Sequence, residues 1–292
     1  MENRIHKPVL LKETLEYLDV QAGDVVVDAT FGFGGHSLEI QKKLKMGRII
    51  GIEKDSEVIK LVKSEIPLDK VTVVHDDFRH ISQVLKDQKI KSVDKILFDL
   101  GVSSFHFDTS GRGFTFQKDE PLDMRLNIGF GATAADLVNG LSQSELADMF
   151  YTLSDERMSR QIAKAIVEAR RQNKFEKTGE LVSVIRSVKR PEGKVHPATK
   201  VFQALRIAVN DELGAIEEVL PNALGLLNKN GRIAVISFHS GEDRIVKNIF
   251  KQLAKEEKVE ILTKKPIVAQ DEERKDNPRS RSAKLRVAKR RN

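Results

Sequence analysis

Residues 25–37 read VVVDATFGFGGHS, a run of β-branched residues that leads into a glycine-rich turn. A short apolar run that ends in glycines is typical of a buried parallel strand followed by a tight turn. Gly32, Gly34 and Gly35 allow the backbone to approach a ligand closely, with the N-terminus of the next helix behind it. The stretch therefore predicts a ligand site at the end of the first strand of an α/β sheet.

Strands and helices alternate over the first hundred residues. Apolar runs predict strands at residues 24–30, 48–53, 70–75 and 93–100, and helices are expected from Gly35 to about Lys45 and over 56–66. This alternation favours an open, doubly wound α/β sheet.

The pattern then changes. Residues 107–206 contain helical segments but no strand of this type, and they are too many for a loop. Strands are predicted again at 230–238, 258–263 and 283–290, the last two as antiparallel candidates for a sheet edge. We therefore expect one α/β domain formed by residues 1–106 and 207–292, with an inserted all-helical subdomain at 107–206.

Composition excludes several classes of protein. The 292 residues include no Cys and no Trp, so a disulfide scaffold, a zinc finger and a thiol enzyme are excluded. No apolar run is long enough to span a membrane, and the N-terminal apolar stretches are too short for a signal peptide. A cytoplasmic location is expected.

The positive charge is concentrated near the C-terminus. The net charge is +7, and residues 264–292 alone carry eleven Lys/Arg against four Asp/Glu. Such a segment is either a solvated tail or an arm that pairs with phosphates. Leu285 and Val287 alternate with Lys284 and Arg286, which indicates a strand.

Two residues of the opening stretch bear on the ligand. Asp28 would repel a pyrophosphate but would suit a sulfonium cation or an α-amino group. Ser37 stands where the dinucleotide fingerprint GxGxxG requires Gly or Ala. Together they favour S-adenosylmethionine over a nicotinamide cofactor.

Two further acids stand at strand ends. Glu53 closes the second strand, where an acid can accept hydrogen bonds from both ribose hydroxyls of an adenosine ligand. Asp99 closes the fourth strand and can accept a hydrogen bond from an amino group. Both are expected at the edge of the sheet where ligands bind.

Seven strings, read together, carry a resemblance to a known family. They are HKPVLLKE, DATFGFGGHS, FDLGVSS, GRGFTF with PLDMR, HPATKVFQALRIAVNDEL, ISFHSGEDRIVK and NPRSRSAKLR. From about His6 to the C-terminus the chain resembles the bacterial ribosomal RNA small subunit methyltransferase H family. The resemblance implies a Rossmann-like seven-stranded methyltransferase sheet and S-adenosylmethionine as cofactor. It also implies methylation of the exocyclic N4 of a cytidine in the decoding region of 16S rRNA, within the small ribosomal subunit.

The resemblance also implies the site residues. The family's cofactor contacts fall on Gly34, Gly35, His36, Glu53, Phe78, Asp99 and His106. Asp99 is in addition the candidate catalytic residue, since an acceptor for the amino protons would make the cytosine nitrogen more nucleophilic. The hydroxyls of Ser103 and Ser104 are alternatives for that role.

RNA contacts are expected from the helical insert and the basic C-terminal arm. The candidates are Arg112, Arg125, Lys200, Arg206, His239, Arg279 and Arg281. No metal is expected, because the His and acid spacing around His239 matches no common site. The sequence does not fix the oligomeric state; a homodimer is one arrangement that it allows.

Two other functions fit parts of the pattern. A non-catalytic RNA-binding assembly factor with an adenosine-binding fold would share the basic arm but would not need Asp28 or Glu53. A nicotinamide-dependent oxidoreductase would share the glycine loop but is disfavoured by Asp28 and Ser37.

Overall fold

The computed structural model describes residues 7–65, 68–191, 193 and 195–291, which form two compact units. The sheet unit consists of the described residues through Gly101 and from Leu213 onward. The helical unit is Val102–Glu212. Its bounds lie outside the expected 107 and 206 because residues on both flanks make contacts within it. Ser103 pairs with His106, and Asn210 bonds to the backbone of Met124 and Leu126.

The sheet unit is built on seven strands in the order β3–β2–β1–β4–β5–β7–β6. The strands are β1 (Val25–Asp28), β2 (Arg48–Glu53), β3 (Val71–His75), β4 (Val93–Asp99), β5 (Leu227–Ser237), β6 (Val259–Ile261) and β7 (Lys284–Arg290). The first five are parallel to one another, and β7 runs antiparallel to both β5 and β6. This order confirms the expected Rossmann-like seven-stranded sheet.

The strands pack apolar side chains on both faces. Val27, Ile50, Ile96, Phe98 and Val235 belong to one buried cluster and are fully shielded from solvent. Strands buried on both faces appear in the sequence as nearly continuous β-branched runs, which is why their periodicity was recognisable.

Helices cover the sheet within this unit. They are α1 (Leu11–Leu18), α2 (Gly35–Lys43), α3 (Ser56–Glu65), α4 (Ile81–Asp87), α11 (Glu212–Leu226, whose first residue belongs to the helical unit), α12 (Ser240–Lys255) and α13 (Asp271–Asp276). Short 3₁₀ turns lie at Phe78–His80 and Pro278–Ser282.

The helical unit has a core of its own. Its helices are α5 (Ser104–Asp108), α6 (Ala134–Gly140), α7 (Gln143–Ser154), α8 (Ser159–Ala169), α9 (Thr178–Val188) and α10 (Thr199–Asn210). Phe150, Ile162, Ile185 and Leu205 are fully buried in one apolar cluster. Ser142 caps α7 in a capping box, as the string SQSE suggests, because its hydroxyl accepts from Glu145 N and the Glu145 carboxylate accepts from Ser142 N.

The prediction that β7 is an edge strand of the sheet is wrong. This strand lies between β5 and β6, so only β6 is at that edge of the sheet. The basic stretch can occupy this place because Leu285 and Val287 are fully buried, while Arg286 is neutralised by Asp243 at 2.6 Å. Residues 284–290 of the supposed arm are therefore part of the sheet and not free to wrap a partner.

Two sequence-based features fall outside the described residues, namely His6 at the start of the first motif and Ile66 at the expected end of α3. Within the described part of the chain, no helix combines the length and the apolarity needed to cross a bilayer.

Candidate active site

The glycine loop follows β1 and turns directly into α2. Gly32 and Gly34 have φ of +52° and +71°, in the left-handed region that favours glycine. A Cβ at Gly34 would also lie 2.8 Å from the ring of Phe31. The turn thus depends on glycine for both conformation and space. It lies beside the switch in strand order between β1 and β4, where open α/β sheets bind ligands.

Asp28 closes β1 beneath this loop. Its side chain accepts a hydrogen bond of 2.7 Å from the hydroxyl of Ser37. Ser37, which departs from the dinucleotide fingerprint, therefore donates to Asp28, the acid that disfavours a pyrophosphate. Burial raises the pKa of Asp28 to about 6, against the opposing effect of the Ser37 bond.

Glu53 closes β2 and holds the loop from the other side. One carboxylate oxygen accepts from Gly32 N at 2.8 Å and the other accepts from Asp55 N at 2.7 Å. Burial raises the pKa of Glu53 to about 7. Each oxygen keeps acceptor capacity beyond these bonds, as a ribose contact requires.

Asp99 closes β4 on the opposite side of the switch point. Its backbone N–H donates to the hydroxyl of Thr30 at 2.6 Å, which fixes the strand end against the glycine loop. Its carboxylate oxygen Oδ1 is buried and has no hydrogen-bond partner in the described part of the chain. Burial, and then the charges of Asp28 and Glu242, raise the pKa of Asp99 well above its usual value.

His36 lies next to Asp99 and is 4% exposed. Its Nε2 lies 3.0 Å from the carbonyl oxygen of Val9. A carbonyl only accepts, so Nε2 carries a proton and Nδ1 faces the Asp99 carboxylate at 3.6 Å. The imidazole is therefore held in one orientation toward this acid.

Phe78 lies one strand further out, in the 3₁₀ turn after β3. Its ring packs edge-on against Phe98 at a centroid distance of 5.7 Å. Asp77 opens the turn by accepting from Arg79 N and pairs with Lys54 at 2.8 Å. The expected adenine contact is thus held by the core on one side and by an ion pair on the other.

His106 belongs to the helical unit and is 4% exposed. Its Nδ1 accepts from Ser103 N at 3.1 Å and lies 2.9 Å from the Ser103 hydroxyl, which closes the first turn of α5. These contacts give both residues a structural part in the helix start. Their expected roles toward cofactor and substrate stay predictions.

Arg112 and Arg206 make strong contacts inside the helical unit. Arg112 is 8% exposed and donates to the carbonyl oxygens of Arg125 and Leu126. Arg206 forms a two-pronged ion pair with Glu212 at 2.8 and 2.9 Å. This geometry favours a structural role for both over a contact with RNA.

Three further RNA candidates lie in the sheet unit. His239 precedes α12, where its ring accepts from Glu242 N and its Nε2 lies 3.3 Å from the Glu242 carboxylate. Arg279 is partly buried in the 3₁₀ turn before β7, and Arg281 is exposed in the same turn and donates to the carbonyl of Arg274. Of these three, Arg281 is the one presented to solvent.

Sequence reasoning did not assign functions to three residues that shape this site. Val9 orients His36, Thr30 fixes the end of β4, and Glu242 adds a third carboxylate near Asp99. Glu242 is 1% exposed and accepts from Phe238 N and His239 N. Its position after β5, at the same edge as Asp99, was the available signal.

The residues present fit S-adenosylmethionine. Asp28, Glu242 and Asp99 form a cluster in which the other charges oppose ionisation of Asp99, so the site disfavours an anion and favours a cation. The orphaned Asp99 Oδ1 awaits a hydrogen-bond donor. A ligand that carries a sulfonium and an ammonium group satisfies the preference for a cation and can donate to one lone pair of Asp99 Oδ1, which leaves the second lone pair open to a substrate amino group. A diphosphate does neither.

Comparison with known proteins assigns the family. The profile of the MraW methylase family matches residues 3–291. The chain belongs to the MraW methylase family. Relatives named ribosomal RNA small subunit methyltransferase H include those of Dictyoglomus thermophilum, Sulfurihydrogenibium sp. and Clostridium botulinum. The first two are each 47% identical to this chain and the third is 43% identical. The matches cover 98%, 98% and 97% of this chain and 97%, 99% and 98% of the respective relatives.

As a member of the MraW methylase family the chain is an S-adenosylmethionine-dependent methyltransferase. One similar solved structure is Aeropyrum pernix fibrillarin with bound S-adenosyl-L-methionine. The match spans 92% of this chain and 67% of the fibrillarin chain, at 10% identity and a TM-score of 0.40. Family membership removes the nicotinamide oxidoreductase and the non-catalytic assembly factor as functions of this chain.

Proposed function

We propose that the protein methylates the exocyclic N4 of a cytidine in the decoding region of 16S rRNA in the small ribosomal subunit. The names of relatives that are 43–47% identical over nearly the whole chain support small-subunit rRNA as the substrate. The observation that carries the acceptor chemistry is the buried Asp99 Oδ1, which lacks a hydrogen-bond partner among the described residues.

The acceptor nitrogen needs help because its lone pair is delocalised into the cytosine ring. An amino proton donated to Asp99 Oδ1 would hold the nitrogen in place and favour a more pyramidal, more nucleophilic geometry. S-adenosylmethionine, held by the glycine loop and Glu53, would supply the methyl group from its sulfonium, and the electron pair of the carbon–sulfur bond would stay with sulfur. As the nitrogen–carbon bond forms, the nitrogen would lose one proton, and Asp99 would accept it.

His36 would serve as the positioning residue for this step. Its imidazole is anchored to Val9 and faces the other oxygen of Asp99, so it restrains the carboxylate without contacting the acceptor. Positioning of this kind accounts for much of the rate of a displacement that needs little acid–base chemistry. The proposal invokes no metal ion.

The helical unit, Val102–Glu212, would provide RNA recognition. A cytidine must leave its stack or lie in a single-stranded segment before its amino group can reach an enclosed site. An rRNA substrate implies that the enzyme works in the cytoplasm.

The substrate assignment is tested with small subunits that lack the modification. Incubation with methyl-labelled S-adenosylmethionine followed by nuclease mapping is expected to place the label on N4 of one cytidine in the decoding region. Label on another atom or region, or no label in subunits or free rRNA, would overturn the proposal.

The role of Asp99 is tested by Asp99→Asn, which keeps the shape but weakens the acceptor. With saturating cofactor, the single-turnover methylation rate should fall by roughly 10²-fold or more, the usual effect of removing a positioned proton acceptor. Asp87→Asn, at the C-terminal end of α4, is the matched control and should leave the rate unchanged. Wild-type turnover by Asp99→Asn would remove Asp99 from the chemistry.

A further inference from the structure

We infer that the helical unit carries a binding site for a phosphate of the RNA backbone, lined by Arg157, Lys189 and Lys200. This inference rests on the proposed RNA substrate and adds the place where the RNA is held. The site is a cleft of about 320 Å³, and Glu156 and Met158 complete its lining. It lies between the α7–α8 turn, the end of α9 and the start of α10.

The floor of the cleft is a buried ion pair. Lys189 Nζ lies 2.6 Å from the Glu156 carboxylate, and the two side chains are 10% and 2% exposed. Glu156 also accepts from Met158 N at 3.0 Å, which ties the turn to the pair. These contacts neutralise one cation and fix the shape of the cleft.

The other two cations keep their binding capacity. Lys200 Nζ donates one bond, to the carbonyl of Asp155 at 2.7 Å, and an ammonium has three donors. Arg157 is exposed and makes no ion pair or side-chain hydrogen bond with any described residue. Three cations against one carboxylate leave the lining with a net charge of +2.

Two helix N-termini add to this field. Met158 directly precedes α8, and Lys200 is the second residue of α10. Neither helix has an acidic residue in its first turn or a side-chain cap, whereas α6, α7 and α9 begin with Asp136, Glu145 and Glu180 in their first turns. Helix N-termini favour anions; Glu156, which accepts from Met158 N, already takes part of the field of α8, whereas the field of α10 is available to a ligand.

The local arrangement matters because the helical unit is nearly neutral overall. Residues 102–212 contain sixteen Lys/Arg and fifteen Asp/Glu, so a general excess of charge does not account for the cleft. An acceptor with several oxygens, such as a phosphodiester, can take bonds from the Arg157 fork and the Lys200 ammonium together. The RNA substrate brings such groups at every nucleotide.

The test compares two variants that remove the same charge from the full-length protein. Arg157→Gln with Lys200→Gln empties the cleft of its available cations but keeps the Lys189–Glu156 pair. Lys164→Gln with Lys174→Gln removes two exposed lysines elsewhere in the helical unit. Binding of in-vitro transcribed small-subunit rRNA is measured by filter binding at several KCl concentrations, and circular dichroism and S-adenosylmethionine calorimetry verify the fold.

The cleft variant should bind rRNA roughly tenfold more weakly, and its slope of log affinity against log salt should fall by about 1.5, as for two lost phosphate contacts. The control should stay within twofold of wild type. Equal slopes in the two variants would overturn the inference. Inorganic phosphate at matched ionic strength should displace rRNA more readily from the wild type than from the cleft variant, because it competes for the same cations.

Methylation by the wild-type protein is measured on the same rRNA and on small subunits. Absence of methylation together with a slope difference between the variants would count against the proposed function and leave the cleft standing. Methylation with equal slopes would do the opposite, so the two failures are distinguishable.

Discussion

At the scale of single residues, the site is a group of carboxyls held in unfavourable surroundings. Burial raises the pKa of Asp28 to about 6 and that of Glu53 to about 7. The pKa of Asp99 is raised by burial and also by the charges of Asp28 and Glu242. Such perturbed groups are typical of functional sites, and a bound cationic cofactor would lower the free energy needed to ionise them.

The raised pKa of Glu53 predicts how stability depends on pH without cofactor. From its unfolded value of 4.5 up to about 7, the folded chain holds more protons on Glu53 than the unfolded chain. The free energy of unfolding therefore receives a contribution that is present at low pH and is lost as the pH rises through 7. Glu53→Gln should remove this loss, which is on the order of 3 kcal/mol.

Urea unfolding at intervals from pH 4.5 to 8 measures the effect. The decline of stability with pH should be shallower in Glu53→Gln than in wild type. Glu16→Gln, at an exposed position on α1, should follow the wild-type curve. Parallel curves for Glu53→Gln and wild type would contradict the assigned proton.

At the scale of elements, the decisive feature is β7, a basic stretch that folds as an interior strand. Arg286 is 6% exposed and lies opposite Val235 of β5. Its guanidinium bonds to Asp243 in the first turn of α12, and Lys284 lies 3.3 Å from the same carboxylate. The proximity of both cations lowers the pKa of Asp243 despite its burial.

Removal of one partner should cost more than removal of both. Arg286→Met should lower the free energy of unfolding by about 3 kcal/mol, because Asp243 is left buried with a weaker partner. Adding Asp243→Asn should recover at least half of this loss. Arg291→Met, at an exposed position just past β7, is the control and should change stability little.

Urea denaturation of the wild type, the three single variants and the double variant gives the coupling energy. Additive losses from Arg286→Met and Asp243→Asn would mean that the two side chains do not depend on each other.

The strands could be predicted from the sequence because their burial on both faces leaves continuous apolar runs. Helix α11 could not be delimited, since it contains Pro221, which normally ends a helix. The order of β6 and β7 was also out of reach, because antiparallel pairing between distant strands leaves no local trace. Arg112 belongs to a segment that reads as a polar surface loop, yet long-range bonds bury it.

The same contrast applies to the site. Glu53 and Asp99 could be assigned to the ligand edge because each directly follows an apolar strand. The orientation of His36 could not, since it depends on Val9, which is 27 residues away in the chain. Strand ends are local information, and hydrogen bonds between distant segments are not.

At the scale of the whole molecule, two units with separate cores share one chain. The helical unit is inserted between β4 and β5, which are neighbours in the sheet. Among its described residues, twenty apolar side chains are buried in one core, which is ample for a segment of this size to fold independently.

Residues 102–212 expressed alone should therefore fold. Far-UV circular dichroism should show a helical spectrum with a cooperative thermal transition. The segment 107–206 should melt at a lower temperature, since it lacks the Ser103 contact of α5, the Asn210 bonds and the Glu212 partner of Arg206. An unstructured 102–212 fragment would contradict the independence of this core.

The interior position of β7 has a consequence for biosynthesis. This strand is translated after every other strand, yet it pairs with β5 on one side and β6 on the other. While the nascent polypeptide still lacks it, the backbone groups on the edge of β5 that faces away from β4 have no partner strand, and such an open edge favours aggregation. A ribosome that stalls shortly before this point releases a product with a gap in its sheet, which cellular proteases can recognise and remove.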